Sequence, residues 1–241
     1  MAINGLRIFS AADGLPQEEA DQMDVLRSGT ISKVVCYALG PKGTNIEQAT
    51  EEWLRRLRIT DKAETHLCGT PEECLGAARQ IAEDGVIAVY GTCAVYAHES
   101  RFFFRNPDIY PFFSQGMMLL DRMQFATRPE MVASIVNGNI PKGWTISSHP
   151  SPQYLIEGLG CNIIIVDSNA AAAEHCREGS SCACITTEAA RKRCGLVTLH
   201  EFGSPAMVFF FGITEHGAEI IRRVFKAVLT DRADSTRPRT V

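Results

Sequence analysis

The strongest constraint on this chain is an alternation that runs almost its whole length: short apolar runs of strand size, each followed by a polar cap and a helix-like segment. That pattern specifies an α/β fold, because each strand must be covered by the helix that follows it. "KVVCYAL" (Lys33 to Leu39) reads as a buried strand. "TNIEQATEEWLRRL" follows as a helix capped by Thr44, with Ile46, Ala49, Trp53 and Leu57 on one face. "TPEECLGAARQIAEDG" (Thr70 to Gly85) opens with a Thr cap, a proline at the first helical position and Glu73 three residues after the cap, so it predicts a second helix. "VIAVYG" (Val86 to Gly91) is the next strand. Arg101 to Leu120, crowded with aromatics and prolines, suits an apolar wall and a passage between lobes. Strand, turn and helix then recur at "TISSHPSPQYLIEGLG", at "CNIIIVDSNAAAAEHCREG" with Ser168 or Asn169 as cap, and at "CACITTEAARKRCGL" with a helix from Thr187. "PAMVFFFGI" is a last strand before a helix from His216 to Leu229.

Helix N-termini collect exposed N–H groups and partial positive charge. Several of them, at Thr44, Ser148 to Ser151, Ser168/Asn169 and Thr186/Thr187, would form an anion site if they faced one cleft.

Composition narrows the partners. Residues that are 45% hydrophobic and 22% charged describe an ordinary globular chain, and the formal net charge of −4 offers no broad basic surface for nucleic acid. The longest apolar run, Ala206 to Ile213, is strand-sized, so no membrane span is expected. Nine cysteines are an odd number, with no charged-then-apolar leader ahead of them, which fits a reducing cytoplasm better than a disulfide framework. Cys182 and Cys184 lack the paired two-residue spacing of a zinc site and read as buried small side chains; no metal and no cofactor are expected.

Four segments resemble the prephenate dehydratase family, in that family's order. "YALGPKGTNIEQA" (Tyr37 to Ala49) resembles its YLGPxGTxSxxA opening, and "SSHPSPQYLI" (Ser147 to Ile156) its SHPQ-type turn. "DSNAAAAEH" (Asp167 to His175) is similar to its STAEAA helix start, and "ACITTEAARKRCGL" (Ala183 to Leu196) to its AAIAxxxAAxxYGL segment. The resemblance implies two α/β lobes built like a type II periplasmic-binding-protein pair, with the site in the cleft and no ACT regulatory domain. It implies lobe one at 31–113 plus 205–230, lobe two at 114–204, an N-terminal extension at 1–30 and a flexible tail at 231–241. The crossings would fall near Phe113 to Met117 and Gly203 to Ala206. The extension reads as a helix that could pack on a partner subunit, and the family resemblance implies a homodimer.

The departures carry further meaning. The family's Thr-Arg-Phe motif on the returning strand supplies a proton donor and a carboxylate clamp; Ala206, Met207 and Val208 stand there instead. Thr92 and Cys93 replace the Glu and Asn of its ENS motif. A branch lacking these elements exists, the non-aromatising prephenate decarboxylases, whose best-known type serves the bacilysin pathway. The "SHPSP" turn and the "TTEAARKRCGL" helix look more like that branch.

The implied reaction removes CO2 from prephenate and keeps the ring hydroxyl, giving a dihydro-4-hydroxyphenylpyruvate for specialised-metabolite biosynthesis. Such chemistry needs an apolar pocket around the departing carboxylate and fixed donors at the pyruvyl end. Ala206, Met207, Val208 and Phe102 to Phe104 are candidates for the first. Gly43, Thr44, Ser148, Ser151, Asn169 and Thr187 are candidates for the second, with His149, Ser148 and Thr44 as catalytic candidates. Each has a plain alternative. "GPKG" serves as a strand-to-helix turn, Thr44, Ser151 and Asn169 cap helices without any ligand, and His149 braces its loop. Lys42, Arg101, Arg105 and Arg128 read as solvated charges unless one pairs with a carboxylate. Three other functions compete: a divergent dehydratase, a related enzyme whose substrate has changed through "VYGTCAVYAHESRFFFRN", and a non-catalytic small-molecule binding protein of the same fold.

Overall fold

The computed structural model describes residues 13–94, 96 and 99–235. In chain order the elements are α1 (Glu19–Arg27), β1 (Lys33–Leu39), α2 (Asn45–Leu57), β2 (Ala63–Cys68), α3 (Pro71–Arg79), β3 (Val86–Cys93), α4 (Glu99–Arg105), β4 (Ile109–Leu119) and β5 (Met123–Thr127). They continue with β6 (Thr145–Ser148), β7 (Asn162–Ile165), α5 (Asn169–Arg177), β8 (Ala183–Thr187), α6 (Glu188–Arg193), β9 (Val197–Gly203), β10 (Ala206–Thr214) and α7 (Glu215–Ser235).

The strands form two sheets of five, in the orders β2-β1-β3-β10-β4 and β7-β6-β8-β5-β9. In each, three parallel strands are followed by two paired antiparallel to their neighbours. The sheets are joined by two short passages, at 120–122 and at 204–205. Leu120 N–H donates to the Pro205 carbonyl at 2.9 Å, so the two passages lie side by side as a double hinge.

Several boundaries differ from the sequence expectation, each for a physical reason. β4 pairs along β10 from Ile109 to Leu119, and buried Phe113 packs in the lobe-one core. The first crossing therefore follows Leu119, beyond the expected 113/114 boundary. Pro111 among the aromatics obscured a strand whose irregular pairing with β10 tolerates it. The 13–30 part of the expected extension belongs to lobe one: Val25 and Leu26 of α1 are buried in this chain's own core rather than facing a partner subunit. Residues 231–235, expected to be a flexible tail, continue α7, and Arg232 reaches back to Asp21 (2.8 Å) and Asp24 (2.7 Å). Residues 1–12 and 236–241, and 95, 97 and 98 within "VYGTCAVYAHESRFFFRN", lie outside the described residues. α3 stops at Arg79 instead of reaching Gly85.

Lobe one is built on large side chains. Trp53 on α2 stacks on Phe211 of β10, ring centroids 4.6 Å apart, and meets Phe113 of β4 at 5.1 Å. Lobe two divides its interior: Ala126, Ala170, Ala172, Ala173, Cys176, Cys184, Ala190 and Cys194 bring α5 and α6 close to one face of the sheet, while Met123, Phe125, Trp144, Ile146, Ile156 and Ile185 form a second core with large side chains.

Candidate ligand site between the lobes

A cavity of about 440 Å³ lies where the strands of both lobes end, a size suited to a small organic ligand. Lobe one contributes Gly43 to Ile46 from the start of α2, Thr92 and Cys93 from β3, and Met207 and Phe209 from β10. Lobe two contributes His149, Ser151 and Pro152 from the turn after β6, Asp167 to Ala170 from the start of α5, and Thr187. Leu120, Met123 and Pro205 close the hinge side. The walls are mostly apolar. Among the described lining residues Asp167 is the one acid, and there is no Lys or Arg.

Local sequence dictates this convergence. Thr44 caps α2: its hydroxyl donates to the Leu39 carbonyl (2.8 Å) and accepts from the Glu47 amide (3.4 Å). Gly43 ahead of it takes φ +90°, a conformation that strains any residue with a Cβ. Ser168 caps α5 by accepting from the Ala171 amide at 3.0 Å. The first amides of a helix have no acceptor within it, so those of Asn45 and Ile46 on α2, and of Asn169 and Ala170 on α5, are available where these residues line the cavity. α6 is different. Its Glu188 and Ala189 amides already donate to the Arg122 carbonyl and to Asp121, so Thr187 contributes wall without a free helix end.

His149 is held by its own turn. The Ser151 amide donates to its Nδ1 (3.3 Å), which leaves the proton of the neutral ring on Nε2. Burial pushes its pKa below the ordinary 6.5, partly offset by the nearby Asp167 carboxylate, so the resting imidazole is neutral at pH 7.

Of the residues expected from sequence, Gly43, Thr44, His149, Ser151, Asn169, Thr187 and Met207 line the cavity together. Two do not. Ser148 is fully buried, its hydroxyl donating to the His149 carbonyl (2.9 Å), so it shapes the turn rather than meeting ligand. Ala206 lies on the opposite face of β10 from Met207 and Phe209, because successive strand residues alternate. The Phe102 to Phe104 run is also elsewhere: Phe102 and Phe103 pack with Tyr90 and Ile109, and Phe104 is exposed. Arg128 is committed to the carbonyls of Cys176 and Ser181, and Lys42, Arg101 and Arg105 are not part of the described wall. Sequence reasoning missed Asp167, Tyr96, Tyr154 and Phe209 as wall residues. Period-two alternation from Met207 would have pointed to Phe209.

The two-sheet order, the double hinge and the cleft between the lobes decide the architecture. The fold is that of the type II periplasmic binding proteins. A solved structure bears this out at the level of fold: the periplasmic VFT2 domain of Bordetella pertussis BvgS is 12% identical with a TM-score of 0.52, covering 92% of this chain and 97% of that one. Looser likenesses are to a histidine kinase sensor domain with similarity to periplasmic binding proteins (12% identity, TM-score 0.45, 86% and 93% covered) and to the effector domain of the transcriptional regulator AmpR of Pseudomonas aeruginosa (11%, 0.44, 85% and 100%). No family model matches the sequence, and no curated protein matches it. A cavity outside the strand ends of an α/β sheet pair is a common position for a small-molecule site.

Proposed function

We propose that this protein is a non-aromatising prephenate decarboxylase, a lyase of the prephenate dehydratase family that feeds specialised-metabolite biosynthesis. One observation carries the reading: the four separated segments that resemble that family all reach the same cavity, through Gly43 to Ile46, through His149, Ser151 and Pro152, through Asp167 to Ala170, and through Thr187. The cavity chemistry supports it. The free amides at the starts of α2 and α5 suit the pyruvyl carboxylate, while Leu39, Ile46, Met207 and Phe209 surround the ring with apolar surface.

In the reaction, the bond between the quaternary ring carbon and its carboxylate breaks and CO2 departs. The electron pair enters the diene, a ring carbon takes up one proton, and the hydroxyl stays. An apolar wall around the ring favours this step, since charge leaves the carboxylate for the diene as CO2 forms. Met207 supports decarboxylation over dehydration: a thioether has no proton to give a leaving hydroxide. His149 is assigned to proton transfer. A dianion bound beside it raises its proton affinity, so the imidazolium forms in the complex rather than in the resting protein.

A second reading, a non-catalytic binding protein, draws support from the neutral resting state of His149 and from the likeness in fold to the periplasmic VFT2 domain of BvgS. Incubation with prephenate, with CO2 release followed and products read by ultraviolet spectrum and mass, separates the readings. Loss of CO2 with the hydroxyl kept establishes the decarboxylase. Phenylpyruvate would make it a dehydratase, and saturable binding without turnover would make it a binder. A cytoplasmic setting is part of the proposal, supported by nine free cysteines. So is a homodimer, to be checked by light scattering.

A further inference from the structure

The free amides of α2 and α5 provide for one carboxylate, yet the described wall holds no Lys or Arg for a second. One lies at the rim. Arg193, the last residue of α6 in lobe two, extends Nη1 across the mouth to the Lys42 carbonyl of lobe one at 3.4 Å. This side-chain hydrogen bond spans the lobes. The same Nη1 lies 3.2 Å from where a Cβ on Gly43 would be, and Gly43 lines the cavity. Nη2 meets Glu174 of α5 at 3.4 Å, with the two side chains 45% and 41% exposed. Both contacts are long and the pair is solvated, so Glu174 holds the guanidinium weakly. A planar guanidinium with spare N–H donors is the group best shaped to take a carboxylate through two parallel bonds.

We infer that Arg193 is a ligand-binding residue of this cleft, exchanging Glu174 for the outer carboxylate of a dianionic ligand while it bridges to the turn at Lys42. The site then selects dicarboxylic acids with an apolar body over the corresponding monoacids. This rests on the carboxylate reading above and adds the residue that sets the charge preference.

The test uses two stable probes that share a benzyl group, benzylmalonate with two carboxylates and hydrocinnamate with one, titrated calorimetrically into the full chain. Wild type should prefer benzylmalonate by about tenfold, the size of effect one charge-assisted contact gives. Arg193→Gln should bring the two affinities to within about twofold by weakening benzylmalonate alone, and Arg193→Lys should restore part of the gap. Glu174→Gln, which removes the competitor, should tighten benzylmalonate about threefold. A purely structural role for Arg193 would weaken both acids equally in Arg193→Gln, or neither, and either result overturns the inference. So does a wild type that binds both acids equally well, which leaves the carboxylate reading intact. A wild type that binds neither probe nor prephenate overturns that reading as well.

Discussion

The two lobes share one strand order and differ in what packs under the helices that reach the cavity. Lobe one packs Trp53, Phe113 and Phe211 under its sheet, whereas lobe two packs alanines and cysteines between α5, α6 and theirs. Large side chains bury more apolar area per residue, so α2 should be held to its sheet by burial more strongly than α5 is to its own. Small ones bring a helix close to its sheet and leave little room for movement, so lobe two should fix the position of the α5 N-terminus at the cavity.

The sharpest way to break this comparison is to remove Trp53. Trp53→Ala should destabilise the chain by about 3–5 kcal/mol in denaturant unfolding, through lost transfer energy and the cavity left behind. Ligand affinity of the protein that remains folded should change little, because Trp53 is not part of the described cavity wall.

The reverse is expected in lobe two. Ala173 is fully buried in a row with Ala170 and Cys176 on α5. Ala173→Leu should cost about 1–3 kcal/mol by overpacking. Because the helix must shift to make room, its Asn169 and Ala170 amides leave their places, and prephenate affinity should fall about tenfold. If calorimetry shows affinity preserved while stability drops, the small-residue core is mere filler and the comparison fails.

This contrast explains what the sequence disclosed. Periodicity and caps are local, so β1, α2 and the caps Thr44, Ser168 and Thr187 were legible residue by residue. β2, β5 and β9 were not read as strands. β2 and β9 hold no fully buried residue and lack a continuous apolar run, and β5 carries Gln124 and Thr127, which are buried but polar. Their identity comes from pairing partners far along the chain. The cavity showed the same division. Motif residues announced themselves, while Ser148 was misassigned because its orientation depends on the His149 turn, and Asp167 was passed over because only the folded cleft brings it near His149.

A smaller effect tests whether the caps serve the fold alone. Thr44→Val and Ser168→Ala should each cost about 1 kcal/mol of stability by leaving an amide uncapped. Both residues also line the cavity, so prephenate binding should weaken further than a pure stability change allows, whereas Thr44→Ser should keep both properties. Equal affinity in Thr44→Val and wild type, measured well below their melting temperatures, would assign Thr44 to capping only.

The smallest expected effect concerns pH, and its sign follows from burial. His149 has a folded pKa below its ordinary 6.5, so the folded state favours the neutral ring and the unfolded chain binds the proton more readily. Its contribution is therefore fully present above pH 6.5 and is lost as pH falls through the unfolded value toward the lower folded one. His149→Gln should flatten the acid limb of a stability–pH profile in that window and leave the profile above it unchanged. Asp167→Asn removes the charge that raises the histidine, so it should push the His149 titration, followed by imidazole NMR shifts, to lower pH. Prephenate should move the same titration the other way, since a bound dianion favours the imidazolium that the proposed protonation step requires. A titration that prephenate leaves in place would separate His149 from the chemistry and confine it to bracing the Ser148 to Ser151 turn, where the Ser151 amide already holds its Nδ1.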